Sequence, residues 1–126
     1  MAELAILERA PAAHDAQEMS AIDRRHLARM TFGDRSLERE VLALFDRQAE
    51  LLIARMRGGE PAAIATLAHT LKGSAAGIGA SRVARTARAA EIAAGLSPPE
   101  CVQAVDRLAA TVDEARALIA ELLREG

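Results

Sequence analysis

The residues best suited to chemistry lie near the middle of the chain, at His69, Lys72 and Gly73. A side chain on a helix leans toward the amino terminus, so whatever stands at position 73 would lie over His69. Glycine leaves the imidazole open, although it costs a helix about 0.5–1 kcal/mol relative to alanine. Lys72, three residues after His69, can bring an ammonium group to an anion on the ring. This spacing predicts an imidazole that accepts a phosphoryl group.

Each of these residues also has an ordinary explanation. Gly73 can serve helix packing, Lys72 can lie along the surface with its charge in water, and most surface histidines have no special role. We interpret His14 and His26 as such histidines, because neither has comparable surroundings. The combination at His69 is more specific, because Lys72 is the chain's only lysine and the neighbouring residues are small.

Composition limits the classes of protein to consider. The 126 residues include 30 alanines and only two aromatics, which favours helix over sheet. A net charge of -2 provides no cationic field for nucleic acid. A single cysteine, Cys101, excludes an intramolecular disulfide and a multi-cysteine metal cluster, and it suits a reducing compartment. With no apolar run near ~20 residues and no basic amino-terminal leader pattern, we expect a cytoplasmic protein without a membrane segment.

Glycine and proline divide the sequence into helical segments. We expect an all-α fold, an antiparallel up-and-down four-helix bundle over residues 21–126, because short connections favour antiparallel neighbours. Residues 1–20 form a separate amino-terminal segment with one or two helical turns at 3–9, and a short helix follows over 22–30. The four main helices are expected from a cap at Asp34 or Ser36 to Gly58, from Pro61 to Gly79, from a cap at Ser81 to Ala94, and from a cap at Ser97 to Arg124.

Apolar periodicity assigns a core face to three of these helices. In the first, the expected inward residues are Leu37, Val41, Leu44, Phe45, Gln48, Leu51, Leu52 and Arg55. In the second they are Ile64, Leu67, Ala68, Leu71, Ala75 and Ile78, which directs His69 to solvent. In the last they are Val102, Val105, Leu108, Val112, Ile119 and Leu122.

The run AHTLKGSAAGIG over residues 68–79 resembles the signature of histidine-containing phosphotransfer (HPt) domains of multistep two-component phosphorelays. The resemblance covers about residues 22–124. Further matching positions are Phe45, the Gly59-Glu60 turn, Glu91 in the following helix, and Asp23 near the domain start. Two positions depart from the family pattern and concern packing: Ala90 replaces a larger aliphatic residue, and Gly77 adds a second flexible point.

The resemblance implies a phosphocarrier rather than an autonomous enzyme. His69 would accept the phosphoryl group from a receiver-domain phospho-aspartate, at Nε2 by analogy with the family, and pass it to another receiver. Lys72 would steady the phosphoryl oxygens, Gly73 would give access, and Gly79 would end the helix. A neutral imidazole needs no added base for this attack.

The implied partners are response-regulator receiver domains or a hybrid histidine kinase, with no nucleic acid and no membrane. The chain has no ATP-binding motif and no acidic cluster at metal-ligand spacing, so we expect no cofactor or metal of its own and assign Mg²⁺ to the partner receiver. Small residues around His69 form the expected docking surface: Ala62, Ala65, Thr66 and Ala76. Arg82, Arg85 and Arg88 either steer an acidic receiver or form an ordinary solvated face.

Two other functions fit the same helices. One is the phosphoryl-accepting domain of a chemotaxis-type kinase system, which has a similar motif helix. The other is a helical protein-interaction module in which His69 has no role in phosphotransfer.

Overall fold

The computed structural model describes residues 20–125, and within them the chain forms five α-helices and no strand. Their bounds are α1 Arg24–Met30, α2 Arg35–Met56, α3 Pro61–Ile78, α4 Ser81–Ala93 and α5 Pro98–Arg124. The predicted all-α class is confirmed. The turns expected at 3–9 and the role of the segment 1–20 lie outside the described residues, apart from Ser20.

Local capping chemistry sets most helix ends. Asp34 accepts a hydrogen bond from the backbone N–H of Leu37, and Ser97 forms a capping box with Glu100. Gly79 ends α3 with a left-handed φ of 84°. The prediction of Ser81 as a cap is wrong: the N-cap of α4 is Ala80, and Ser81 is the first helical residue.

The four longer helices form a ring in which α2 contacts α3, α3 contacts α4, α4 contacts α5, and α5 contacts α2. Ten of the buried side chains within residues 20–125 are alanines, so the helices can approach closely. At the outer edge of the contact between α2 and α5, Arg116 binds Asp46 at 2.8 Å and Glu50 at 3.3 Å. Within residues 20–125, no helix is both long enough and apolar enough to span a bilayer.

The predicted core face of α2 is wrong by about one residue. The structure buries Leu42, Phe45, Ala49, Leu52 and Met56, so only Phe45 and Leu52 of the expected set are buried. Leu37, Leu44 and Leu51 are exposed. Helix α2 therefore carries two lines of apolar residues, one buried and one exposed, whose hydropathies are similar. Periodicity alone does not show which line faces the core, because packing against the other helices decides it.

The core faces of α3 and α5 agree more closely with the sequence. On α3, Leu67 is partly buried and packs against the core, and the other expected residues are buried. On α5, Val102 is 60% exposed and was wrongly assigned inward, whereas the other five expected residues are buried. Val102 lies in the second turn of α5, close to the end of the bundle.

Helix α1 closes one end of the bundle. Ile22 and Leu27 are almost fully buried, and the backbone N–H of Asp23 donates to the Gly79 carbonyl at 2.8 Å. A Cβ at Gly79 would lie 2.9 Å from the Asp23 carbonyl oxygen, so this contact requires glycine. The end of α3 and the start of α1 are therefore held together.

The register of α2 gives a direct test of the fold. Leu42 is 1% exposed and Leu44 is 61% exposed on the same helix. We expect Leu42→Ala to lower the free energy of unfolding by about 2–5 kcal/mol, because it leaves a cavity. Leu44→Ala should change it by less than about 0.5 kcal/mol. Urea denaturation at low protein concentration measures both values, and a larger loss for Leu44→Ala would contradict the register.

Candidate functional site

His69 lies in the middle of α3, and its side chain is 64% exposed. Nothing comes within 4 Å of a Cβ built on Gly73, so the space one turn beyond the ring is open. Both observations agree with the sequence prediction of an accessible imidazole. Gly77, on the same side one turn later, is open as well.

A carboxylate from the neighbouring helix connects the two functional side chains of α3. Glu91 Oε2 lies 2.9 Å from His69 Nδ1, and Glu91 Oε1 lies 3.0 Å from Lys72 Nζ. Helix α4 contributes this residue from 22 positions further along the chain. His69, Lys72 and Glu91, which we call the His69 group, form one hydrogen-bonded cluster that joins α3 to α4.

The charge of Glu91 determines which ring nitrogen of His69 carries the proton. The pKa of the Glu91 carboxyl is lowered, first by the hydrogen bond from Lys72 and further by His69, while partial desolvation opposes the shift. An ionised carboxylate can only accept hydrogen bonds, so Nδ1 must be the donor. In the neutral ring Nε2 then carries the free lone pair.

The sequence predicts a Lys72 ammonium group that is available to an anion on the ring, whereas in the structure this group already has a carboxylate partner. The Lys72 side chain is only 33% exposed, and its ammonium group pairs with Glu91. The ammonium is therefore held close to the imidazole by the same carboxylate that orients the ring. A cation that already has a counterion loses less rotamer freedom when it meets an incoming anion.

Small buried residues on α3 and α4 favour a close approach of the two helices. Ala68 and Ala75 of α3 and Ala87 and Ala90 of α4 are fully buried. Ala90, one of the two departures from the family pattern, precedes Glu91 directly. Its small side chain allows the backbone of α4 to lie near α3 at this level.

The predicted docking residues are placed as follows. Ala62, Thr66 and Ala76 are exposed and Ala65 is partly buried. Arg85 and Arg88 are exposed, whereas Arg82 is partly buried and its guanidinium lies 3.6 Å from Glu114 of α5. Arg82 therefore lies on the flank of α4 that faces α5 and does not join the His69 group. Glu91 pairs with His69 and Lys72, and no ion pair between Glu91 and Arg88 occurs among the described residues.

Two contacts were not predicted from the sequence. The sequence could have singled out Glu91 because it is the only acidic residue of α4, but no pattern placed it against His69. His26, interpreted as an ordinary surface histidine, is half-buried, and its Nε2 lies 3.1 Å from the Gly77 carbonyl oxygen. A carbonyl oxygen only accepts, so the Nε2 of His26 is the donor. His14 lies outside the described residues.

Among residues 20–125, no three His, Cys, Asp or Glu side chains are grouped so as to hold a metal ion. The chemistry available to the described residues at His69 is that of one nucleophilic nitrogen, one ammonium group and one carboxylate.

Comparison with protein families gives a match to the family described as Hpt domain, over residues 36–122. The matched range contains α3, α4 and nearly all of α2 and α5, and it includes His69, Lys72, Gly73 and Glu91. Comparisons with curated proteins and with solved structures gave no match.

The tautomers of the two described histidines should be opposite. In the neutral form of each ring, we expect His69 to carry its proton on Nδ1 and His26 on Nε2. Ring ¹⁵N chemical shifts distinguish the two forms. The variant Glu91→Ala should remove the Nδ1–H preference of His69 and leave His26 unchanged, so His26 is the internal control. Observation of the Nε2–H form at His69 in the unaltered protein would contradict the assigned role of Glu91.

Proposed function

The chain belongs to the Hpt domain family, whose members carry phosphoryl groups on histidine in phosphorelays, and we propose that His69 is the carrier in this protein. The proposed donor is the phospho-aspartate of a receiver domain, and the proposed acceptor is the aspartate of another receiver. In the first step a bond forms between His69 Nε2 and phosphorus, and the bond between phosphorus and the aspartyl oxygen breaks. The aspartate leaves as a carboxylate.

The observation that carries this proposal is the hydrogen bond between His69 Nδ1 and Glu91. It fixes the ring so that the nucleophilic Nε2 is the nitrogen that Glu91 does not engage. As Nε2 bonds to phosphorus, positive charge develops on the ring while Nδ1 keeps its proton. The Glu91 carboxylate, 2.9 Å from Nδ1, stabilises that charge without taking part in a bond change.

Lys72 would stabilise the opposite charge. The phosphoryl group brings negative oxygens to a ring that lies within one turn of the Lys72 ammonium. Because Glu91 holds Lys72 at 3.0 Å, the cation is already beside the site before the phosphoryl group arrives. We assign Lys72 to steadying the phosphorylated form.

The receiver is expected to supply the rest of the charge neutralisation. Phosphoryl transfer depends mainly on positioning and on neutralising the oxygens of the transferred group. The His69 group offers one cation, Lys72, whose charge is already balanced by Glu91. We therefore place Mg²⁺ and its acidic ligands in the receiver, and we call this protein a phosphocarrier.

The surface around His69 suits a close approach by a receiver. The exposed residues of α3 on the same side as His69 are small, namely Ala62, Thr66, Gly73 and Ala76. Arg85 and Arg88 are exposed on α4, the helix that carries Glu91, and are available to steer an acidic partner. Arg82 is left out of this surface because it pairs with Glu114.

The proposal also includes the direction of the helices and the location of the protein in the cell. The four main helices are taken to run antiparallel, because their connections are short. A cytoplasmic location is proposed because receiver phosphorylation depends on ATP-using kinases, and the unpaired Cys101 suits a reducing compartment.

Phosphate labelling tests the proposed carrier. After incubation with a ³²P-labelled receiver, we expect acid-labile, base-stable label on the protein, and none on His69→Gln. The matched controls His14→Gln and His26→Gln should keep the label, since they remove the other two histidines. Label that persists on His69→Gln would overturn the assignment. Label from a kinase alone, with none from any receiver, would favour the chemotaxis-type alternative, and a complete absence of label would favour an interaction module.

The open space at Gly73 gives a second test. We expect Gly73→Leu to lower the transfer rate at least about tenfold, because the new side chain lies over His69. Gly77→Leu serves as the control, since its added side chain also enters open space but lies two turns from the ring. Circular dichroism should show unchanged helix content in both variants. Transfer at the original rate in folded Gly73→Leu would contradict the access argument.

A further inference from the structure

Helix α2 has an apolar surface that no described part of the chain covers. Leu37, Leu44 and Leu51 are spaced seven residues apart and are 38%, 61% and 54% exposed. Val41 and Gln48 lie between them and are partly buried. We call these five residues the α2 stripe.

The spacing of the α2 stripe matches that of a helix that pairs with another helix. Its residues alternate at intervals of four and three, an average of 3.5, which is the repeat of a two-helix seam. Burying a leucine side chain is favourable relative to leaving it exposed to water. Three half-exposed leucines in one line therefore mark a contact surface rather than scattered surface residues.

The charges beside the α2 stripe indicate what binds there. Glu40 and Arg47 are both exposed, lie seven residues apart along one edge of the stripe, and form no ion pair among the described residues. If two copies of α2 meet antiparallel about a two-fold axis between Ala43 and Leu44, Glu40 of each copy faces Arg47 of the other. A parallel pairing about a two-fold axis would place this edge of the two helices on opposite sides of the pair, so Glu40 and Arg47 would not meet their counterparts. The α2 stripe and the two charged residues at its edge are thus self-complementary in the antiparallel orientation.

We propose that the protein forms a homodimer through the α2 stripe, with the two α2 helices antiparallel and two reciprocal Glu40–Arg47 ion pairs. A second copy is favoured over other occupants because one copy supplies both the leucines and the matching charges. The His69 group lies on α3 and α4, so the dimer does not need it. The proposal is independent of phosphotransfer, and its tests contain no receiver or phosphate.

Sedimentation velocity of the full chain tests the dimer. Over a micromolar concentration series, the mass should rise from 13.4 kDa toward twice that value. Leu44→Glu should remain a monomer throughout the series. Leu96→Glu is the matched control, because Leu96 is 60% exposed but lies between α4 and α5, and this variant should still dimerise.

Charge reversal tests the orientation. Glu40→Arg or Arg47→Glu alone should weaken the dimer at least about tenfold, because each change places like charges at both reciprocal contacts. The double variant Glu40→Arg/Arg47→Glu should restore dimerisation, because the two charges then exchange places. Loss without restoration would overturn the antiparallel arrangement.

Two other outcomes would overturn the dimer itself. One is a monomer at every concentration whose melting temperature falls on Leu44→Glu, which would mean that another part of the same chain covers the stripe. The other is a monomer at every concentration that Leu44→Glu leaves equally stable, which would leave the stripe to a different partner. A dimer that survives Leu44→Glu would place the interface elsewhere.

Discussion

The separation of α3 and α4 is the constraint on which the site depends. A glutamate side chain has a short, fixed reach, yet Glu91 contacts both His69 and Lys72 at hydrogen-bond distance. Four alanines of these helices have no exposed surface, Ala68 and Ala75 on α3 and Ala87 and Ala90 on α4. Small buried side chains let packed helices approach closely, which helps a short side chain of one helix to reach the other. The buried alanines of α3 and α4 therefore favour the contact of Glu91 with the ring.

The same separation is maintained at the end of the bundle by Gly79. Only Gly79 and Ala80 connect α3 to α4, and the left-handed φ of Gly79 ends α3 within that short distance. Its carbonyl also accepts from the Asp23 N–H, at a contact where a Cβ would collide with the Asp23 backbone. His26 adds a second bond from α1 to the last turn of α3 through the Gly77 carbonyl. Helix α1 thus fixes the end of the helix that carries His69.

The sequence predicted those features of the site and the fold that depend only on residues close together along the chain. His69, Lys72 and Gly73 lie within two turns of one helix, so helical geometry alone related them, and the caps at Asp34 and Ser97 are local in the same way. Glu91 lies on another helix, so its contact with His69 depends on the distance and rotation of α4. The Hpt resemblance marked the position of Glu91 but not its contacts. The same holds for the arginines of α4, because the ion pair between Arg82 and Glu114 depends on how α5 packs against α4.

The error in the register of α2 has a different cause. This helix carries leucines on two adjacent lines, so hydropathy gives no reason to place one line inward rather than the other. In the structure Leu42 and Leu52 are buried together with Phe45, whereas Leu44 and Leu51 are exposed. The choice is made by the rotation of α2 about its own axis, which depends on its contacts with α3 and α5. The orientation of α2 and the contact of Glu91 with His69 are therefore both set by packing between helices that lie far apart in the sequence.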